Sequence, residues 1–147
     1  MIKTLACFAI LASLSHAAHN ILDYGAIHKS ELTIDAFSNA NATILALLLA
    51  NASDTDREIL IPEGYSFVMM PVRVDYLVNV TIRVEGEVLM SADDVNFPTT
   101  PNKTSDWASN GNISDFWNFE YSNGLRFTGH GRIDGRGFDW WVREFHI

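Results

Sequence analysis

The chain has 147 residues, 48% of them hydrophobic and 19% charged, which is enough for one folded domain with a core and unlike a disordered segment. A formal charge of −8 excludes the basic face that non-specific nucleic-acid binding needs. A single cysteine, Cys7, excludes a disulfide framework.

The first elements are not fold material. Lys3 supplies a positive start, and residues 5–14 (LACFAILASL) form an apolar run too short to span a bilayer. Ser15 and Ala17 put small side chains at −3 and −1 of a cut after Ala17. Residues 1–17 read as a secretory signal peptide, and 18–147 as the mature, extracellular domain, with no membrane attachment after cleavage and a monomeric state expected. A buried N-terminal helix is the competing reading, and the run lacks the polar periodicity for it. Cleavage removes Cys7 and Lys3, so the mature chain has no thiol and a formal charge of −9. Five Asn-x-Ser/Thr sequons follow, at Asn41, Asn51, Asn79, Asn102 and Asn112. They fit a secreted glycoprotein and predict surface positions.

Residues 19–28 (HNILDYGAIH) read as a short extended lead-in closed by Gly25. Ile34, Phe37, Ala40, Ile44 and Leu48 step by three or four, which predicts one amphipathic helix over 34–50 with that face inward. Thr33 or Asp35 is the expected cap. No other helix is expected. Strands follow at 58–61, 65–70, 72–76 and 78–90, the last with a corner near Gly86, and the Pro62-Glu63-Gly64 turn separates the first two. Residues 96–115 read as one long polar loop. Strand character resumes at 116–121, 125–127 and 132–133. A faint echo runs through these strands. Asn79, a strand and Gly86-Glu87-Val88 recur as Asn123, a strand and Gly131-Arg132-Ile133. Such self-similarity predicts a β-solenoid, whose first coil needs a cover, and one amphipathic helix before it would serve.

Four segments in order, Asn20–Ala26 (NILDYGA), Ile61–Tyr65 (IPEGY), Asn79–Leu89 (NVTIRVEGEVL) and Gly129–Trp141 (GHGRIDGRGFDWW), together resemble the N-terminal part of the polygalacturonase-like glycoside hydrolases of family 28, in the pectate-lyase superfamily. The resemblance spans nearly the whole mature chain. It implies an all-β solenoid, a right-handed parallel β-helix of which these are the N-terminal coils, with one N-terminal capping α-helix. It also implies hydrolysis of galacturonan bonds in pectin, with inversion, by the complete relatives. Their catalytic Gly-His-Gly follows Asn-Thr-Asp and Asp-Asp motifs and precedes Arg-Ile-Lys. None of those flanks His130, which instead fills a variable position in the scaffold pattern Gly-x-Gly-x-Ile-Asp-Gly-x-Gly. The segment 28–34 (HKSELTI) departs from the family's Gly-Asp-Gly-type lead-in.

No catalytic residue is therefore assigned, and no cofactor or metal. Glycines 129, 131, 135 and 137 are expected to allow tight corners and close backbone stacking, with Asp134 bonding backbone amides of the turn. Asp134 with Asp139, and Asp93 with Asp94, are carboxylate pairs in the wrong context for catalysis; the latter reads as a solvated loop pair. His19, His28, His130 and His146 have no ligand-like spacing. Of Trp107, Trp117, Trp140 and Trp141, core or cover roles come first. A weaker alternative makes Trp140, Trp141 and Arg136 sugar contacts, since guanidinium groups suit galacturonate carboxylates. Arg126, Arg132, Arg136 and Arg143 are expected to pair with nearby acids such as Asp134, Asp139 and Glu144. The expected product is an N-terminal fragment of a pectin hydrolase, inactive alone, with several coils to follow. The runner-up is a non-catalytic β-solenoid glycoprotein that binds polysaccharide. A Ca²⁺-dependent lyase would need an acidic cluster that is not evident.

Overall fold

The computed structural model describes residues 18–100 and 112–144. The signal segment, Asn102, Trp107 and His146 lie outside the described residues, as do the side chains of Asn112 and Arg143.

Strand β1 (His19–Asn20) runs into a 3-10 turn over Ile21–Tyr24, so the lead-in is not simply extended. Asn20 Oδ1 accepts from the Leu22 amide at 3.0 Å and starts the turn. Gly25, at φ 92°, closes it by donating to the Ile21 and Leu22 carbonyls.

Helix α1 (Thr33–Ala52) follows, and its buried face is turned from the expected one: Ala40 is buried and Phe37 and Ile44 pack against the core, but the ends of the expected row do not. Ala36, Asn39, Ala40, Thr43, Ala46, Leu47 and Ala50 face the core, while Ile34 and Leu48 are 69% and 50% exposed. Small side chains let the helix lie close to the strands, and Leu45, Leu48 and Leu49 turn outward while Leu47 is buried. Leu32 takes the cap position without a side-chain bond. Thr33 instead donates its hydroxyl to Asp93, and Ser30 donates to Asp35.

The strands are β2 (Glu58–Ile61), β3 (Ser66–Met69), β4 (Val72–Arg73), β5 (Thr81–Val84), β6 (Glu87–Met90), β7 (Thr99–Thr100), β8 (Asn112–Ile113), β9 (Trp117–Asn118), β10 (Arg126–Thr128) and β11 (Arg132–Asp134). They form a ladder β1-β2-β5-β10, a second β11-β6-β3 and a third β4-β9. All these pairings are parallel. Among the described residues only β7 and β8 pair antiparallel, inside what reads from sequence as one long loop. The chain therefore visits the same ladders in the same order on successive passes. A second helix, α2 (Gly137–Glu144), ends the described chain where only turns are expected from sequence.

Alternation sets the inside of each pass. Ile59 and Ile61 of β2 and Ile82 and Val84 of β5 are buried, with their neighbours half-exposed. Register stacks Ile59 on Ile82 on Phe127, and Phe67 on Val88 on Ile133. The echo is thus a stacking relation: Arg132 pairs with Glu87, which places Gly131 over Gly86, whereas Asn123 pairs with Val78, one residue out of the expected alignment.

Strand β3 is an edge of its ladder, and α1 with the lead-in closes that edge. The Lys29 amide donates to Ser66 O (2.9 Å), Asn39 Nδ2 donates to Val68 O (2.7 Å), and the Met70 amide donates to Ala36 O (3.1 Å). An unpaired strand edge templates aggregation unless covered. At the opposite end β10 and β11 carry no cover among the described residues: Phe127 is 52% and Ile133 43% exposed, although Ile82 and Val88 beneath them are fully buried.

Candidate functional site

That open end collects the residues singled out from sequence. Phe127, Thr128, Gly129, Gly131, Ile133 and Val84 line a shallow depression there. Gly129 (φ 106°) and Gly131 sit directly on the pass below, the Gly131 amide donating to Val84 O at 2.8 Å and the Arg132 amide to Gly86 O at 2.9 Å. A Cβ at 129 would fall on the Val84 carbonyl, and one at 131 on the Gly86 carbonyl. Gly135 and Gly137 have open space around them and no left-handed φ, so only two of the four glycines are needed for close stacking.

His130 projects outward with its side chain 97% exposed. Its backbone amide donates to Glu85 Oε2 (3.1 Å), and its ring Nδ1 lies 3.3 Å from the same oxygen. Chiefly through that amide, Glu85 is held below the ordinary carboxylate range. Asp134 Oδ1 accepts from the Arg136 amide at 2.8 Å, across Gly135. Asp139 lies 3.9 Å from Arg136 Nε. Asp93 is not a free loop acid. The Thr33 hydroxyl, and then Asn96, bond it and lower its pKa, tying the loop after β6 to the start of α1.

The arginines are largely engaged. Arg136 makes a bidentate pair with Glu31 (Nη1 2.9 Å, Nη2 2.8 Å), and this bonding lowers Glu31 and raises Arg136. Arg132 bonds Glu87 (Nε 2.9 Å), which also accepts from Ser66 Oγ (2.8 Å), so Ser66, Glu87 and Arg132 form a polar column along the second ladder. These partners come from earlier passes, Glu31 and Glu87, more than from the adjacent acids expected from sequence. Trp140 packs edge-on against Phe97 at 4.9 Å, and Trp141 is 60% exposed. Trp117 sits in an aromatic cluster with Phe116, Phe119 and Phe127.

Among the described sequons, Asn41 is exposed on α1. Asn51 is half-buried, its Oδ1 accepting from the Val78 amide (2.9 Å) and its Nδ2 donating to Tyr76 O (3.4 Å). Asn79 is exposed in a left-handed turn (φ 52°) against Gly124. Among the described residues no group of three His, Cys, Asp or Glu converges as a metal site.

No family model, curated protein or solved structure matches the chain.

One candidate escapes the sequence reading. Tyr76 and Tyr121 stack at 5.2 Å and 17°, 66% and 72% exposed, at equivalent corners of two passes. Both have left-handed φ, and the Tyr76 amide donates to Glu120 O at 3.0 Å. The echo was the available signal, since the two tyrosines share the interval that relates Gly86 to Gly131.

Proposed function

We propose that the chain forms the capped first coils of a secreted, right-handed parallel β-helix of the polygalacturonase-like kind, directed at pectin. The observation that carries this reading is the seat of the Gly-x-Gly-x-Ile-Asp-Gly-x-Gly segment. Its Arg132–Asp134 stretch lies in parallel register on β6, directly after Arg126–Thr128 on β5, and two of its glycines sit where stacked backbones leave no room for a side chain. The short helix that follows carries the Trp pair, with Trp140 packed against the core. The exposed inward residues Phe127 and Ile133 support further coils above them.

Inverting hydrolysis in complete relatives would use one carboxylic acid to protonate the leaving oxygen and one carboxylate to activate water from the other face. Three acids singled out from the sequence are committed otherwise. Asp134 shapes a turn, Asp139 faces Arg136, and Asp93 anchors α1. The chain alone contributes scaffold, and Trp141, Trp140 and Arg136 are its proposed sugar contacts, with Trp141 the most open ring. Purified chain incubated with polygalacturonate is expected to release no reducing ends. A transcript read past codon 147 is expected to encode Asn-Thr-Asp, Asp-Asp, Gly-His-Gly and Arg-Ile-Lys in order. Reducing-sugar release by these residues alone, or a reading frame lacking those motifs, would count against the proposal.

The stacked, exposed Tyr76–Tyr121 pair favours a second reading, a non-catalytic polysaccharide binder. On that reading, replacing both tyrosines by alanine abolishes retention on immobilised polygalacturonate, and on the first it leaves retention unchanged.

A further inference from the structure

The outward face of α1 is apolar and uncovered among the described residues. Ile34, Leu45, Leu48 and Leu49 are 69%, 45%, 50% and 40% exposed, and Asp35 is the only charged residue in the helix. By length and composition alone the helix could cross a membrane, yet its other face is packed on the strands. Contiguous exposed apolar rows on soluble domains are normally covered by something.

Asn41 stands in that row. Helical geometry puts it two turns after Ile34, one turn before Leu45 and two before Leu48, all on one side. It begins the sequon Asn41-Ala42-Thr43, is exposed, and its amide makes no hydrogen bond to another described residue. The other described sequon side chains differ: Asn51 is held by Val78 and Tyr76, and Asn79 lies against Gly124.

We propose that an N-linked glycan on Asn41 is the occupant of this face, its sugar rings lying along Ile34, Leu45 and Leu48 where a protein partner would otherwise dock. The proposal rests on the secretory reading above. A branched sugar at the centre of the row keeps a second helix from the 8–10 Å approach that packing requires, so the glycan also keeps the chain monomeric. It is equally incompatible with seating the row in lipid.

The test is to express the full chain in a glycosylating secretory host and map the glycopeptides. Asn41 is expected to be modified. Enzymatic removal of glycan from the folded protein, or Asn41→Gln, is expected to raise apolar-dye binding severalfold and to produce dimers or larger species on a sizing column. Asn79→Gln is expected to do neither, and adding Leu45→Gln and Leu48→Gln to Asn41→Gln should restore the monomer. Glycan on other sequons with Asn41 bare would overturn the proposal alone. Unchanged dye binding and size after deglycosylation would do the same, as would a dimer or vesicle binding by the protein glycosylated at Asn41. Absence of glycan at every sequon would remove both this proposal and the secretory reading it rests on.

Discussion

Asn39 does the work of a strand with a side chain. It is fully buried, its Oδ1 accepts from the Ile27 amide (2.6 Å), and its Nδ2 donates to Ile27 O (2.9 Å) and Val68 O (2.7 Å). Asn39→Leu leaves the buried Val68 carbonyl and the partly buried Ile27 amide and carbonyl without these partners and is expected to lower unfolding free energy by about 1–3 kcal/mol, measured by urea titration. At Gly131 the expected loss is of similar consequence, because a methyl would meet the Gly86 carbonyl. Gly131→Ala should depress the thermal midpoint clearly, and Gly135→Ala, with open space, should not. Neither position is fully legible from sequence. The glycine pattern marks 129, 131, 135 and 137 alike, and only stacking distinguishes the first two. Asn39 looks like one more polar residue in an alanine-rich helix, since its partners lie 12 and 29 residues away.

At the scale of elements, the strands were legible because alternation is local. β2 and β5 fall where inward Ile and Val alternate with outward residues, and Gly86 marks the corner between β5 and β6. The helix was legible in extent and only in part in orientation: Phe37, Ala40 and Ile44 meet the core, and Ile34 and Leu48 do not. Periodicity weighs large apolar side chains and so selects Ile34 and Leu48, whereas the surface that α1 must meet is a strand edge that admits small ones. Overpacking the true inner face is therefore costly. Ala46→Phe is expected to destabilise by about 1–3 kcal/mol. Leu48→Gln, on the outer face, should stay within about 0.5 kcal/mol in the same denaturation assay. The β7–β8 pair carries little periodic signal, whereas α2 is strongly amphipathic over its eight residues and is obscured in sequence by the glycines and aromatics that read as turn and cover.

For the whole molecule, ion pairs and hydrogen bonds link one pass to the next. Glu31 to Arg136 joins the start of α1 to the turn before α2, and Glu87 joins Ser66 to Arg132. Glu31, Glu85, Glu87 and Asp93 are all held below their ordinary pKa, chiefly by Arg136, the His130 amide, Ser66 and Thr33 respectively. Depressed folded-state values mean that their stabilisation is fully present above about pH 4–4.5, the unfolded range, and is lost as pH falls through the folded values. The thermal midpoint should thus hold between pH 8 and 5 and drop below about pH 4. The double variant Glu31→Gln with Glu87→Gln should flatten that drop. Which passes stack was only hinted at by the glycine echo, because register is a long-range relation that no local pattern encodes.

Register is also where the account is most exposed. Thr81 pairs with Arg126 in the parallel ladder, whereas Thr128 pairs with Arg83, two residues further along. In-register residues lie about 5 Å apart, within disulfide reach, and a two-residue offset puts partners about 8 Å apart, beyond it. In a Cys7→Ser background, rates of oxidative cross-linking can be compared for Thr81→Cys with Arg126→Cys and for Thr81→Cys with Thr128→Cys. Parallel stacked passes predict rapid linkage of the first pair and little of the second; preferential linkage of the second pair, or none in either, would contradict them.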